Sequence, residues 1–248
     1  MIKVAGLKKA FGSGKDLVQA VDGVSFSAAD GQITGLLGPN GAGKTTTLRM
    51  LYTLMRPDAG TLEVDGAEVR LDPDRVRRQL GVLPDARGLY KRLTARENIA
   101  YFGRLHGLTP AYIESRIALM SQALQLQDIL DRKTEGFSNG QRVKVAIARA
   151  LVHDPRNVVL DEPTNGLDVM STRSLRRFML ELKAEGRCVL FSSHIMQEVA
   201  ALCDRIVVIA RGQVIADGSA DELRAQAGES SLEDAFVKLV GADAEGMA

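Results

Sequence analysis

The run Gly38-Pro39-Asn40-Gly41-Ala42-Gly43-Lys44-Thr45 has the spacing G-x-x-x-x-G-K-[ST], which is suited to holding polyphosphate. Glycines let backbone N–H groups turn inward on phosphate oxygens, and the positive end of a following helix adds to the pull. A lysine at this position reaches the β- and γ-phosphates, so Lys44 is a candidate binding and catalytic residue. The Thr45 hydroxyl is a candidate Mg²⁺ ligand, and Thr46 joins the binding set. The pattern requires a strand before it and a helix after it. Gln32 to Leu37 reads as a short buried strand, and Lys44 to Tyr52 as a helix. The ligand class is therefore a nucleoside triphosphate with Mg²⁺.

Val158-Val159-Leu160-Asp161-Glu162 is an apolar run ending in two carboxylates. A buried strand would deliver both at its C-terminal end, where open α/β sheets bind ligands. Asp161 could complete the Mg²⁺ shell, and Glu162 could polarise an attacking water. His194 follows a second apolar run, Cys188 to Ser192, and could bind the γ-phosphate and orient that water. His106 and His153 read as ordinary core or surface histidines. Phe137-Ser138-Asn139-Gly140-Gln141 precedes a helical stretch. A serine and a glycine N–H at a helix start make a second anion site, although an N-capped helix is the other reading.

The elements that must position these groups follow from periodicity. Ile2 to Leu7 and Val18 to Phe26 read as strands joined at Gly12-Ser13-Gly14. Thr61 to Val64 and Gly81 to Pro84 read as further short strands. From about residue 87 to residue 156 the pattern is helical, with segments at Thr94 to Gly103, Pro110 to Ala123 and Gln141 to Val152. Asn157 to Leu160, Cys188 to Ser192 and Arg205 to Ala210 then read as buried strands. Leu175, Phe178, Met179 and Leu182 form a core-facing helical stripe. Ser231 to Val240 reads as a last amphipathic helix, and 241–248 as a frayed tail. Alternating strands and helices argue for a parallel or mixed sheet covered by helices, with the helical block as an insertion. No internal repeat is visible.

With 248 residues, 45% apolar and 25% charged, the composition is that of a water-soluble globular chain. The net charge of +1, with 7 Phe, 4 Tyr and no Trp, argues against a nucleic-acid partner. Cys188 and Cys203 sit in apolar, strand-like contexts and read as buried free thiols of a reducing compartment. The start of the chain runs straight into a strand pattern with no signal peptide, and no apolar run approaches the ~20 residues that span a bilayer. A cytoplasmic location is expected, with any membrane role acting through a partner.

In this order the motifs resemble the ATP-binding cassette (ABC) ATPases over residues 1–240. Phe137 to Gln141 followed by Val145-Ala146-Ile147-Ala148-Arg149-Ala150-Leu151 resembles the family signature and its helix. Leu160 to Thr164, then Gly166-Leu167-Asp168 (the D-loop), then Ser192-Ser193-His194 follow at family spacing. Phe11 stands where the family places an aromatic against adenine, with a plain core or turn aromatic as the alternative. The resemblance implies a cassette fold: a RecA-like mixed-sheet core, an antiparallel β subdomain and an inserted helical subdomain. It also implies ATP, Mg²⁺ and a homodimer formed on ATP, since two cassettes pack head to tail. Each ATP would lie between the phosphate loop of one chain and Ser138, Asn139, Gly140, Gln141 and Asp168 of the other. Two residues depart from the pattern. Asn139 replaces a glycine, and asparagine tolerates positive φ, so the turn is expected to survive. Asp85 replaces a glutamine that touches Mg²⁺ or its water, and a carboxylate still suits a hard cation.

The run Gly81 to Tyr90, then Leu93-Thr94-Ala95-Arg96-Glu97-Asn98, is similar to the NatA-type branch, ATPase subunits of sodium exporters with a separate membrane permease. Ser231 to Phe236 resembles the C-terminal helix of that exporter class. The expected function is ATP-driven export, of sodium, from the cytoplasmic face of the membrane. The alternatives are a drug, antibiotic or other exported cargo, or a soluble ABC ATPase of the iron–sulfur assembly type. Translation members usually carry two cassettes and repair members carry coiled coils or zinc modules, which this chain lacks. A kinase or GTPase reading leaves Ser138 to Gln141 without a role.

Overall fold

The computed structural model describes residues 1–85 and 88–245, with side chains through residue 241. The chain begins with the antiparallel pair β1 (Ile2–Phe11) and β2 (Val18–Ala28). β3 (Ile33–Leu37), buried at every residue, runs through the phosphate loop into α1 (Lys44–Leu51). β4 (Ala59–Val64) and β5 (Ala67–Glu68) complete a four-stranded antiparallel sheet of order β2-β1-β4-β5. α2 (Pro73–Gln79) leads into β6 (Leu80–Leu83). α3 (Ala95–Leu105), α4 (Pro110–Leu124) and α5 (Asn139–Ala150) fill the crossover to β7 (Asn157–Asp161). Then come α6 (Val169–Ala184), β8 (Cys188–Ser193), α7 (Met196–Leu202) and β9 (Arg205–Ala210). β10 (Gln213–Gly218), α8 (Ala220–Ala227) and α9 (Leu232–Glu245) follow.

The larger sheet has the order β10-β9-β3-β8-β7-β6, parallel except for the antiparallel edge strand β10. Its inner strands are buried and mainly apolar because both of its faces are covered. On β7, Val158 and Leu160 join the helical side, while Val159 joins the side of the antiparallel sheet. β8 repeats this with Val189 and Phe191 against Leu190, and β9 with Ile206 and Val208 against Val207 and Ile209. The mixed sheet is thus a middle layer. α1 and the antiparallel sheet lie on one face, α3 to α6 on the other. Each fully buried Leu, Ile or Phe contributes ~1.5–3 kcal/mol, so strand ends in this layer are stiff mounts for loops.

The helical block begins each helix on a cap. Thr94 and Glu97 form a reciprocal capping box at α3, Thr109 caps α4 ahead of Pro110, and Ser138 and Gln141 form a second box at α5. α5 therefore starts at Asn139, two residues earlier than its periodicity suggests. This corrects the expectation for Asn139. It is the first helical residue and takes no positive φ. α9 runs to Glu245, so Gly241 to Glu245 are helix rather than frayed tail. The expected tail at 246–248, and Ala86 and Arg87 of the branch motif, lie outside the described residues. Both cysteines are free thiols, but Cys203 ends α7 rather than lying in a strand.

Candidate active site

Parallel pairing sets the site. β3 and β8 are in register with Leu37 opposite Ser193, and β8 and β7 with Ser192 opposite Asp161. The loops leaving three strands therefore emerge side by side at one sheet edge. An open cavity of about 280 Å³ lies there, lined by Asn40, Gly41, Ala42, Gly43, Lys44, Thr45, Thr46, Asp85, Glu162, Asn165 and His194. This is the crevice at strand C-termini where doubly wound sheets bind ligands. Lys44 is 5% exposed, and its ammonium donates to the carbonyls of Gly38 at 2.7 Å and Pro39 at 3.1 Å. The first-turn N–H groups of α1 face the same loop without intrahelical partners, as anion binding requires.

The two carboxylates are held by a residue that enters the sequence motifs only as a neighbour of His194, with no role of its own. Buried Ser192 donates from Oγ to Asp161 Oδ1 at 2.7 Å and accepts the Glu162 N–H at 2.9 Å. One hydroxyl therefore fixes both acids. Glu162 itself has φ +46°, a left-handed backbone uncommon for a non-glycine residue and typical of functional positions. That bend places its Oε1 3.5 Å from Lys44 Nζ and its Oε2 2.9 Å from His194 Nδ1. His194 is partly exposed, so the pair faces the cavity mouth.

The residues present fit Mg²⁺. Thr45 Oγ1 donates to Asp161 Oδ1 at 3.1 Å. Asp161 is fully buried, and its Oδ2 takes no hydrogen bond among the described residues. A buried carboxylate oxygen with no donor is costly, and a hard cation is the partner that suits it. Burial pushes the Asp161 carboxyl above its ordinary value. The hydrogen bonds from Ser192 and Thr45 oppose this, and the charges of Asp85 and Glu162 add to it. Asp85 is exposed and lines the cavity, so its charge acts on the same centre.

The second set of predicted residues stands apart. Ser138, Asn139, Gly140 and Gln141 open α5, and none of them lines the phosphate-loop cavity. Ser138 Oγ accepts the Gln141 N–H at 3.2 Å, while Gln141 Oε1 accepts the Ser138 N–H at 3.0 Å. Asp168 caps α6 and accepts from the Ser171 N–H and hydroxyl, which holds its carboxyl below the usual range. Within one chain the structure gives a phosphate half and a separate signature half. Phe11 closes β1 opposite Val18 and is 41% exposed, which removes the core-aromatic alternative.

Behind the cavity, Glu198 is 4% exposed and accepts from Thr164 Oγ1 at 2.6 Å and Ser193 Oγ at 3.3 Å. Thr164 follows Glu162 by two residues and Ser193 precedes His194, so one buried acid braces both loops of the Glu162–His194 pair. Glu198→Ala strands two buried hydroxyls, at ~1–3 kcal/mol. It should lower kcat about tenfold while leaving the KM for nucleotide nearly unchanged. Glu198→Gln keeps an accepting oxygen and should recover most of the rate. Equal losses in both variants would remove the bracing role.

A family model described as ABC transporter matches residues 21–165. The chain is 46% identical over 224 residues to the ABC transporter ATP-binding protein NatA of Bacillus subtilis (strain 168), spanning 90% of this chain and 91% of that protein. It is 39% identical over 231 residues to the daunorubicin/doxorubicin resistance ATP-binding protein DrrA of Streptomyces peucetius, spanning 93% and 69%. A solved dimer of the ATP-binding cassette MJ0796, in a post-hydrolysis state bound to ADP and Pi, superposes with a TM-score of 0.79 at 25% identity. That match spans 88% of this chain and 98% of that one.

Proposed function

The chain belongs to the ABC transporter family, and from that premise we propose that it hydrolyses ATP to drive sodium export through a separate membrane permease. The observation that carries the ATPase reading is the convergence of Lys44, Glu162 and His194 on one cavity from three adjacent strand ends, with Asp161 buried beside it against Thr45. Lys44 and the α1 amides would hold the phosphates of ATP. Glu162, steadied by Ser192 and Glu198, would draw the proton from the attacking water, and His194 would hold that water and the γ-phosphate in line. Thr45, Asp161 and Asp85 would hold Mg²⁺, which when bound neutralises charge on the β- and γ-phosphate oxygens. Ser138, Asn139, Gly140, Gln141 and Asp168 of a second copy would close the site over ATP, with Phe11 against the adenine. The dimeric state of the MJ0796 cassette supports this arrangement.

In this reading residues 1–240 are one cassette domain, and the block of about 87–156 carries motion outward. Arg149 of α5 donates to the Gly88 carbonyl at 2.8 Å, and Asn98 and Thr134 bond the carbonyl of Tyr90. The segment beyond Asp85 is thereby fastened to the helices that carry the signature. No helix of the described residues is long and apolar enough to cross a membrane; the transport path belongs to the permease, with this chain on its cytoplasmic face. Sodium is supported by the 46% identity with NatA across nearly all of both chains.

The test is co-purification with a multi-span membrane protein, followed by flux from vesicles containing both. ATP-driven sodium efflux that stops in Lys44→Ala is expected. Efflux of an organic cation without sodium flux would replace the cargo, as the likeness to DrrA allows. Recovery of a cytosolic scaffold instead would replace the exporter with a soluble ATPase.

A further inference from the structure

Asn139 occupies the position where the family most often has glycine, and its amide is tied into its own chain. Nδ2 donates to the carbonyls of Gly166 at 2.8 Å and Asn165 at 3.3 Å. Both carbonyls lie in the loop that starts at Glu162. Within that loop the Asn165 N–H donates to the Glu162 carbonyl at 3.2 Å, and the Leu167 N–H to the Thr164 carbonyl at 3.0 Å. Gly140 presses α5 onto α6 so closely that a Cβ there would lie 2.6 Å from Ser171 Oγ. Asp168 fastens that same turn through Ser171. α5 belongs to the inserted helical block, whereas the Glu162 loop leaves the mixed sheet. A glycine at 139 has no side-chain donor to span the two. Asp85 and Asn165 line both the phosphate-loop cavity and the adjoining cavity that Asn139 lines, so the tie runs between neighbouring spaces.

We propose that Asn139 is a positioning residue that locks the signature turn to the loop behind Glu162, coupling the two nucleotide sites of a dimer through each chain. The signature turn is presented to the second copy's ATP, and Glu162 serves the chain's own. With the amide in place, occupancy at one site sets the geometry of the other. This rests on the homodimeric ATPase reading.

Two variants test it. Asn139→Gly removes the side chain. Asn139→Asp keeps its size and suits a helix N-terminus, but replaces the donor with an anionic acceptor that cannot bond either carbonyl. Both should bring the Hill coefficient for ATP hydrolysis toward unity and lower kcat about five- to tenfold. Both should also speed hydrogen exchange at the amides of residues 164–168 in the monomer. Wild-type cooperativity and wild-type exchange in Asn139→Gly would overturn the proposal. If wild-type protein forms no ATP-dependent dimer, the functional reading fails on that control. The exchange rates then still decide whether the tie exists.

Discussion

Glu162→Gln is expected to cut ATP turnover by ~10²–10⁴-fold while ATP binding persists, because it removes a general base and leaves the phosphate loop untouched. The amide is nearly isosteric and its oxygen can still accept from His194, whose Nδ1 is 2.9 Å from Glu162 Oε2, so the loop should keep its shape. What is lost is the charge and the capacity to take a proton. Losing that charge also removes a repulsion beside the triphosphate, since Glu162 Oε1 is 3.5 Å from the Lys44 ammonium that would grip the phosphates. ATP should then be held longer, and the half-sites should stay closed. Single-turnover hydrolysis with size-exclusion chromatography at saturating ATP reads both effects. A dimer retained with ATP and absent with ADP is expected. Turnover at the wild-type rate would remove Glu162 as the base, and a strictly monomeric variant would remove the composite site.

What the sequence shows depends on how locally each feature is encoded. The phosphate loop is contiguous, and its strand and helix are short-range patterns, so Gly38 to Thr45 can be read directly. Asp161 and Glu162 are legible because a buried strand must end where its apolar run ends. Ser192 and Glu198 are not, because their roles come from the pairing of β7 with β8 and from α7 folding back, which are long-range events. α2 escapes notice because Val76 is its one buried residue and leaves no apolar stripe, although Asp72 and Pro73 spell a helix start. α8 likewise buries only Leu223 and Ala227, yet Ser219 and Glu222 form a capping box that its spacing announces. Asn139 misleads for the opposite reason. A family resemblance with glycine at this position suggests a special backbone angle, whereas the capping box places the residue in ordinary helix and turns its amide toward the Gly166 carbonyl.

Two glycines of the phosphate loop should respond very differently to one added methyl group. Gly41 has φ +80° with open space where the methyl would sit, so Gly41→Ala costs only left-handed strain, ~1–2 kcal/mol. Gly43 has φ +102°, and a Cβ there would lie 2.4 Å from the carbonyl oxygen of Ala20. Ala20 is part of β2, at a register shift between Gln19 and Val21, both of which pair with β1, so its neighbours on either side hold it in the sheet. The loop must yield instead, and Gly43 is the residue on which α1 begins. Its displacement turns the first amides of α1 and the Lys44 ammonium away from the phosphate position. Gly43→Ala should therefore lose ATP affinity by about 100-fold or more. It should also lower stability by ~2–5 kcal/mol, combining left-handed strain with overpacking. Gly41→Ala should bind ATP within about tenfold of wild type, since its strain alone is worth about that factor. Fluorescent-nucleotide titration with calorimetric melting separates the two. Equal ATP affinity in both variants would mean that the Ala20 contact does not hold the loop in its binding shape. A loss confined to Gly43→Ala would show that β2, a strand of the antiparallel sheet, is what presses the phosphate loop into place.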